Sequence, residues 1–245
     1  MDTHHIWFDV NELPSGKIPY PEGSRIRVRS FTYGEIRVFS QSELSFRGMA
    51  EFVLEGIETT FDKWDLTLVD YSFLTLTRKG LAFPDRDYYS DSICPKCGKL
   101  VRFIYNRSQV QYEDLNKTLK LPLEADLTYK GEKKTLSFWP LTVGRFSDLM
   151  DLNKDPDEVS LMAKQVMNVD FNLAKDIIYN ASGDDILVLE EIDRMIYHEM
   201  KPLERVCGVD GCDGVAKLDL WREDSFLYPF RKPEESVRSR IRSGS

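Results

Sequence analysis

A chain of 245 residues that is 42% hydrophobic and 12% aromatic has enough apolar material for a sizeable core; it is long for one domain and short for two large ones. Its net charge of −8 argues against a broad nucleic-acid-binding face, which is normally basic. No run approaches the roughly 20 apolar residues of a membrane span. The start, Met1-Asp2-Thr3-His4-His5-Ile6-Trp7-Phe8, lacks the basic and apolar regions of a secretory signal, so a cytoplasmic origin with reduced cysteines is expected.

Residues 1–17 read as irregular, and Leu13-Pro14-Ser15-Gly16 through Gly23 as successive turns. Residues 25–31, Arg-Ile-Arg-Val-Arg-Ser-Phe, alternate as a half-buried strand does. Thr32 with Glu35 three residues later is a capping box, predicting a helix from Thr32 towards Leu44. A second short helix is expected from Met49 to Gly56. Thr67 caps a further helix as far as Lys79, stopped by Gly80; its β-branched residues leave a strand as the rival.

After a loop at 83–87 comes Cys94-Pro95-Lys96-Cys97-Gly98, followed by a strand-like run, 99–105. Residues 110–120 are polar, helical or irregular. Residues 121–139 read as a hairpin turning at Lys130-Gly131. Helices are expected at 158–168, 171–180 and 185–200, the last with Ile186, Leu189, Ile192, Ile196 and Met200 on one face and ended by Pro202. Cys207-Gly208-Val209-Asp210-Gly211-Cys212 follows, again with a strand-like run after it, 215–221.

These two pairs are all four cysteines of the chain. Cys94, Cys97, Cys207 and Cys212 have the spacing of structural zinc ligands, and four thiolates would close the tetrahedron against water or substrate. Iron is the other metal such a set suits. Free thiols or two disulfides are the alternatives; disulfides across such short gaps are awkward, and nothing indicates an oxidising compartment. No phosphate-binding loop, nucleophile elbow or His-Glu-x-x-His motif is present, so a non-enzymatic protein is expected. His198, the one internal histidine, falls at a predicted helix C-terminus, where a dipole contact is the ordinary role. The acidic clusters read as caps and solvated faces.

Thr142-Val143-Gly144-Arg145 repeats the pattern of Thr32-Tyr33-Gly34-Glu35, each after a strand and each at a comparable distance before a cysteine pair. This suggests an internal duplication with the metal between the halves. The expected fold is α+β: mostly helical with short strands and β-hairpins, in two pseudo-repeated halves joined by a four-cysteine zinc site. The N-terminal half is 1–120, the C-terminal half 121–230, and 231–245 is a flexible basic tail. Phe226, Leu227, Tyr228 and Phe230 form an aromatic segment that either packs on the core or contacts a partner.

The order of short motifs has a further resemblance. It runs from Leu13-Pro14-Ser15-Gly16 with Tyr20, through the Thr-x-Gly-Glu turn, to Trp64-Asp65-Leu66-Thr67-Leu68-Val69-Asp70 running on to Arg78. Then come Cys94-Pro95-x-Cys97-Gly98, Phe138-Trp139-x-Leu141-Thr142, the late cysteine pair and the aromatic-Pro ending. Together these resemble the baseplate hub and hub-assembly proteins of contractile-tailed bacteriophages. The resemblance implies a non-catalytic structural or assembly role near the hub, with other baseplate, hub or tail-tube proteins as partners in a large symmetric assembly. It also implies assembly in the host cytoplasm, location in the virion, and the four cysteines as metal ligands. The wider second pair departs from the tighter spacing expected. A zinc-ribbon protein of the transcription machinery is the alternative; the acidic charge and the absence of basic residues interleaved with aromatics count against it.

Overall fold

The alternating run at 25–31 becomes the centre of a sheet. In the computed structural model, which describes residues 5–218 apart from 42–43, 85–86, 114, 154 and 197–199, three strands pair antiparallel in chain order: β1 (Trp7–Asp9), β2 (Ile26–Arg29) and β3 (Ile57–Thr59). β1 corrects the expectation of an irregular start. Three residues are too few to show alternation, and the strand exists because Phe8 pairs with Val28 across the sheet.

α1 (Tyr33–Gln41) begins at the expected capping box: Glu35 N donates to Thr32 Oγ1 at 3.2 Å and Thr32 N to Glu35 Oε2 at 2.6 Å. α2 (Phe46–Leu54) starts three residues earlier than expected because Ser45 Oγ accepts from Gly48 N. α3 (Leu68–Ala82) is capped by Thr67 as read, and is a helix rather than the rival strand. It does not stop at Gly80. A Cβ there would lie 3.0 Å from Arg107 Cδ, so the glycine makes room for a crossing side chain, and the helix ends just before Pro84. Ten of the residues from Val69 to Lys79 are buried, which makes α3 the central helix.

Beyond it, β4 (Tyr88–Ile93) and β5 (Leu100–Tyr105) form one hairpin, and β6 (Leu123–Tyr129) and β7 (Glu132–Phe138) another. The second turns at Lys130 and Gly131, both with positive φ as the tight turn requires. α4 (Val143–Leu152), α5 (Glu158–Gln165), α6 (Phe171–Tyr179) and α7 (Asp184–Ile196) follow, then a last hairpin of β8 (Leu203–Val206) and β9 (Val215–Leu218). α5 ends before 168 because the chain turns to pair with β7: Trp139 N donates to Gln165 O and Met167 N to Ser137 O. On α7, Leu189, Ile192 and Ile196 are buried as expected but Ile186 is exposed; Met200 is buried beyond the described end of the helix.

Three apolar clusters result among the described residues. One lies between the first sheet, α2 and α3, with Val28, Val53, Leu54 and Leu74. A second joins β6 and β7 to α5, α6 and α7. The third lies between the β4–β5 and β8–β9 hairpins, touched by Leu76 of α3. The fold is therefore mixed helix with small antiparallel sheets, in keeping with α+β. The two Thr-x-Gly stretches both open helices, α1 and α4, but sit differently: a Cβ on Gly144 would meet Trp64 O at 3.3 Å, whereas one on Gly34 meets only Thr32 Oγ1 at 3.9 Å.

Candidate metal centre

Each cysteine pair is the turn of a β-hairpin, which the sequence showed only by half. The strands after the pairs were legible; β4 and β8 before them were not. β4 is Tyr-Tyr-Ser-Asp-Ser-Ile, too polar to read as a buried strand. β8 is only four residues long.

The two turns are built alike despite their different lengths. Cys94 N donates across its turn to Lys99 O at 2.9 Å, and Cys207 N to Gly214 O at 2.8 Å. In each case the acceptor stands two residues after the second cysteine. Gly98 and Gly211 take φ of +69° and +76°, a region that L side chains rarely adopt. The extra residues of the second pair are absorbed by a further turn, Cys212 N to Val209 O at 2.9 Å. The wider spacing that departed from the expected pattern therefore still delivers Cys212 to the site.

All four Sγ atoms lie within 4.8 Å of one another. Cys94 and Cys212 are 3.8 Å apart, and Cys97 and Cys207 3.6 Å. A tetrahedral ion with metal–sulfur bonds of about 2.3 Å needs sulfurs about 3.8 Å apart, and a disulfide needs about 2.05 Å. The four cysteines are free, not disulfide-bonded, and their geometry fits a metal ion. Gly214 permits it: an added Cβ would stand 2.7 Å from Cys94 Sγ and 3.3 Å from Cys212 Sγ. Sequence reasoning missed this residue, since its position becomes crowded only when the second turn folds against the first.

Backbone N–H groups point at the sulfurs. That of Cys97 acts most strongly on Cys94 and, with that of Lys96, lowers its thiol to about 7. Cys207 is acted on by the Val209 N–H, which favours its thiolate, but lost hydration and the neighbouring sulfurs outweigh this and push it up to about 12. Cys212 is likewise raised, against the Gly214 N–H, by lost hydration and by Cys97 and Cys94. The Cys94 thiol is thus the readier to ionise, while Cys207 and Cys212 resist sharing the negative charge. A bound cation reverses that resistance by holding all four as thiolates.

Side-chain contacts tie the hairpins together around the centre. Ser92 Oγ donates to Lys217 O at 2.6 Å, Arg205 Nη1 to Arg102 O at 2.5 Å, and Lys96 pairs with Asp213. Cys94 and Cys207 are buried, Cys212 half-buried and Cys97 exposed.

The other motif residues converge on α3. Ser15 donates to Asp70 through its backbone N (3.0 Å) and its Oγ (2.5 Å), and Tyr20 OH donates to the same carboxylate at 2.5 Å. Burial raises the pKa of Asp70 against these donors, and burial with the Asp70 charge raises that of Tyr20. Thr67 faces Thr142 in an antiparallel bridge, with Leu68 N donating to Leu141 O and Val143 N to Leu66 O. Arg78 is wholly buried. It donates to Glu35 Oε1 (2.8 Å), Arg29 O (2.9 Å) and Val53 O (2.5 Å), and its guanidinium lies 4.0 Å from the Phe31 ring centre. Arg29 holds the other side of Glu35 at 2.7 and 2.9 Å. These residues act as joints between segments far apart in sequence. Phe226, Leu227, Tyr228 and Phe230, the basic tail and His198 lie outside the described residues. Among the described residues, no helix is long and apolar enough to cross a membrane.

No protein-family model, curated protein or solved structure matches this chain.

Proposed function

We propose that this chain is a non-catalytic structural or assembly component of a contractile phage tail baseplate, acting in the hub region and stabilised by one structural zinc ion. The observation that carries the reading is the closed four-cysteine centre: four protein ligands leave no position for a substrate, so the ion's work is to hold the β4–β5 and β8–β9 hairpins together. Zinc is the assignment because four thiolates presented by two short turns are an ordinary ligand set of a structural zinc; iron suits the same sulfurs, and metal analysis distinguishes the two. The halves that we read as repeats each contribute one hairpin and one cysteine pair. The tail-assembly role rests on the motif resemblance, and its support here is that the motif residues Ser15, Tyr20, Asp70, Thr67, Thr142, Glu35 and Arg78 form mutual contacts.

The nucleic-acid reading of such a ribbon is weaker. Arg102, Lys96 and Lys217, cations on the two hairpins, pair with Asp91, Asp213 and Glu204, which leaves less positive charge for phosphates.

Quantitative mass spectrometry of purified particles of the source phage, set against infected-cell lysate, tests the proposal. A fixed ratio to the tail proteins supports a structural component; presence only in the lysate supports a departing assembly factor; absence of any association with tail intermediates overturns both. Metal analysis of protein purified without chelator should find about one zinc per chain, and finding none refutes the centre.

A further inference from the structure

The β4–β5 hairpin turns one face to the core and one to solvent. Inward go Tyr88, Val101, Phe103 and Tyr105. Outward go three cross-strand pairs: Tyr89 opposite Ile104, Asp91 opposite Arg102, and Ile93 opposite Leu100. The apolar members are exposed by 49% (Tyr89), 49% (Ile104), 63% (Ile93) and 71% (Leu100). Between them Arg102 donates to Asp91 at 3.0 and 3.3 Å. Single exposed apolar residues are ordinary, but four of them making up two of the three pairs on one hairpin face give it the composition of a contact surface.

We infer that this face packs against the same face of a second copy of the chain, about a twofold axis running along the hairpin. The charge pattern selects this occupant. Rotation about that axis lays β4 of one copy over β5 of the other. Asp91 then meets the second copy's Arg102, Tyr89 meets its Ile104, and Ile93 meets its Leu100. Every pairing already favourable across the strands recurs between copies, so the face is its own complement, as an isologous contact requires. The central ion pair becomes a four-charge cluster shielded by apolar pairs at both ends. Six residues per strand span only about 20 Å, which puts the contact in the small class, below about 1,200 Å² in total. The dimer is therefore weak and concentration-dependent. The inference stands apart from the tail-assembly reading, since it depends only on the hairpin.

The test is sedimentation velocity on the full, zinc-replete chain, from roughly micromolar to sub-millimolar concentration, with Asp91→Arg and Arg102→Asp variants whose metal content is checked in the same samples. The wild type should move from monomer to dimer as concentration rises. Each variant alone should stay monomeric, because its outer face then carries charges of one sign. An equimolar mixture of the two should recover dimer, positive face against negative, which a misfolded variant cannot do. A wild type that stays monomeric, variants that associate as the wild type does, or a mixture that fails to recover overturns the inference. Association that survives both charge variants but disappears when the chain is ended at Ser225 also overturns it, and assigns the association to residues 226–245 instead of the hairpin.

Discussion

Gly214→Ala isolates the packing of the metal centre from its ligands, because every cysteine is kept. The new Cβ would stand 2.7 Å from Cys94 Sγ and 2.9 Å from Lys96 Cβ, about 1 Å inside ordinary contact. Metal–ligand distances tolerate shifts of only about 0.2 Å. Cys94 therefore either leaves the tetrahedron or the two hairpins move apart. Structural zinc binding is worth on the order of 10–16 kcal/mol; losing one of four ligands removes about a quarter, roughly 2.5–4 kcal/mol, or a loss of affinity on the order of 10²–10³-fold. Gly208 is the matched control. It lies in the same turn, and a Cβ there meets nothing within 4 Å, so the zinc affinity of Gly208→Ala should equal that measured for the wild type. Competition with a chromophoric chelator, with far-UV circular dichroism to confirm folding, measures both. Equal affinities for the two variants would refute the crowding argument, and with it the geometry assigned to the centre.

Treatment with a chelator, or replacing Cys97 with Ser, should lower the thermal midpoint and expose the two cysteine turns to protease if the proposed ion holds the hairpins; an unchanged midpoint and cleavage pattern would show that no ion does so. Gly56→Ala should destabilise the fold by about 3–5 kcal/mol, because its Cβ would fall 2.0 Å from the buried Arg78 guanidinium and displace it from Glu35, Arg29 O and Val53 O. Urea denaturation of Gly56→Ala, Arg78→Met and the double variant should show strong non-additivity, since a shorter residue 78 removes the clash; additive effects would count against it. Glu35 is pushed upward by burial, but its bonds from Arg29, Thr32 and Arg78 prevail and hold it at about 2, below its ordinary 4.5. A carboxylate depressed by folding stabilises the fold fully above its unfolded value and loses that contribution as pH falls towards 2. The stability difference between wild type and Glu35→Gln should therefore shrink between pH 4.5 and 2, a comparison that cancels the metal's own release in acid; a constant difference would contradict the assignment.

The elements legible in the sequence were those with local causes. The capping box at Thr32 and Glu35, the cap at Thr67, the Lys130-Gly131 turn and the periodicity of Leu189, Ile192 and Ile196 each depend on neighbours within a few residues. The four cysteines were legible as a ligand set for the same reason: a short turn that presents two thiolates carries its signature in the spacing alone. Where a local signal met a distant partner, the partner prevailed. Gly80 reads as a stop, yet α3 continues because Arg107 crosses that position. Residues 7–9 carry no strand pattern, yet pair because β2 lies beside them.

Composition, caps, turns and cysteine spacing by themselves determined the α+β character, most helix starts and the four cysteines that could hold a metal ion, since each follows from backbone sterics or ligand chemistry over a few residues. Only the tertiary structure decided that α3 is the buried axis and that the scattered motifs meet at Asp70 and Arg78. It alone decided that Gly214 must lack a side chain, and that one face of β4–β5 turns away from the core of its own chain. Those outcomes depend on contacts between segments up to 120 residues apart in the chain, such as Gly214 against Cys94, and no local pattern records which distant group will arrive.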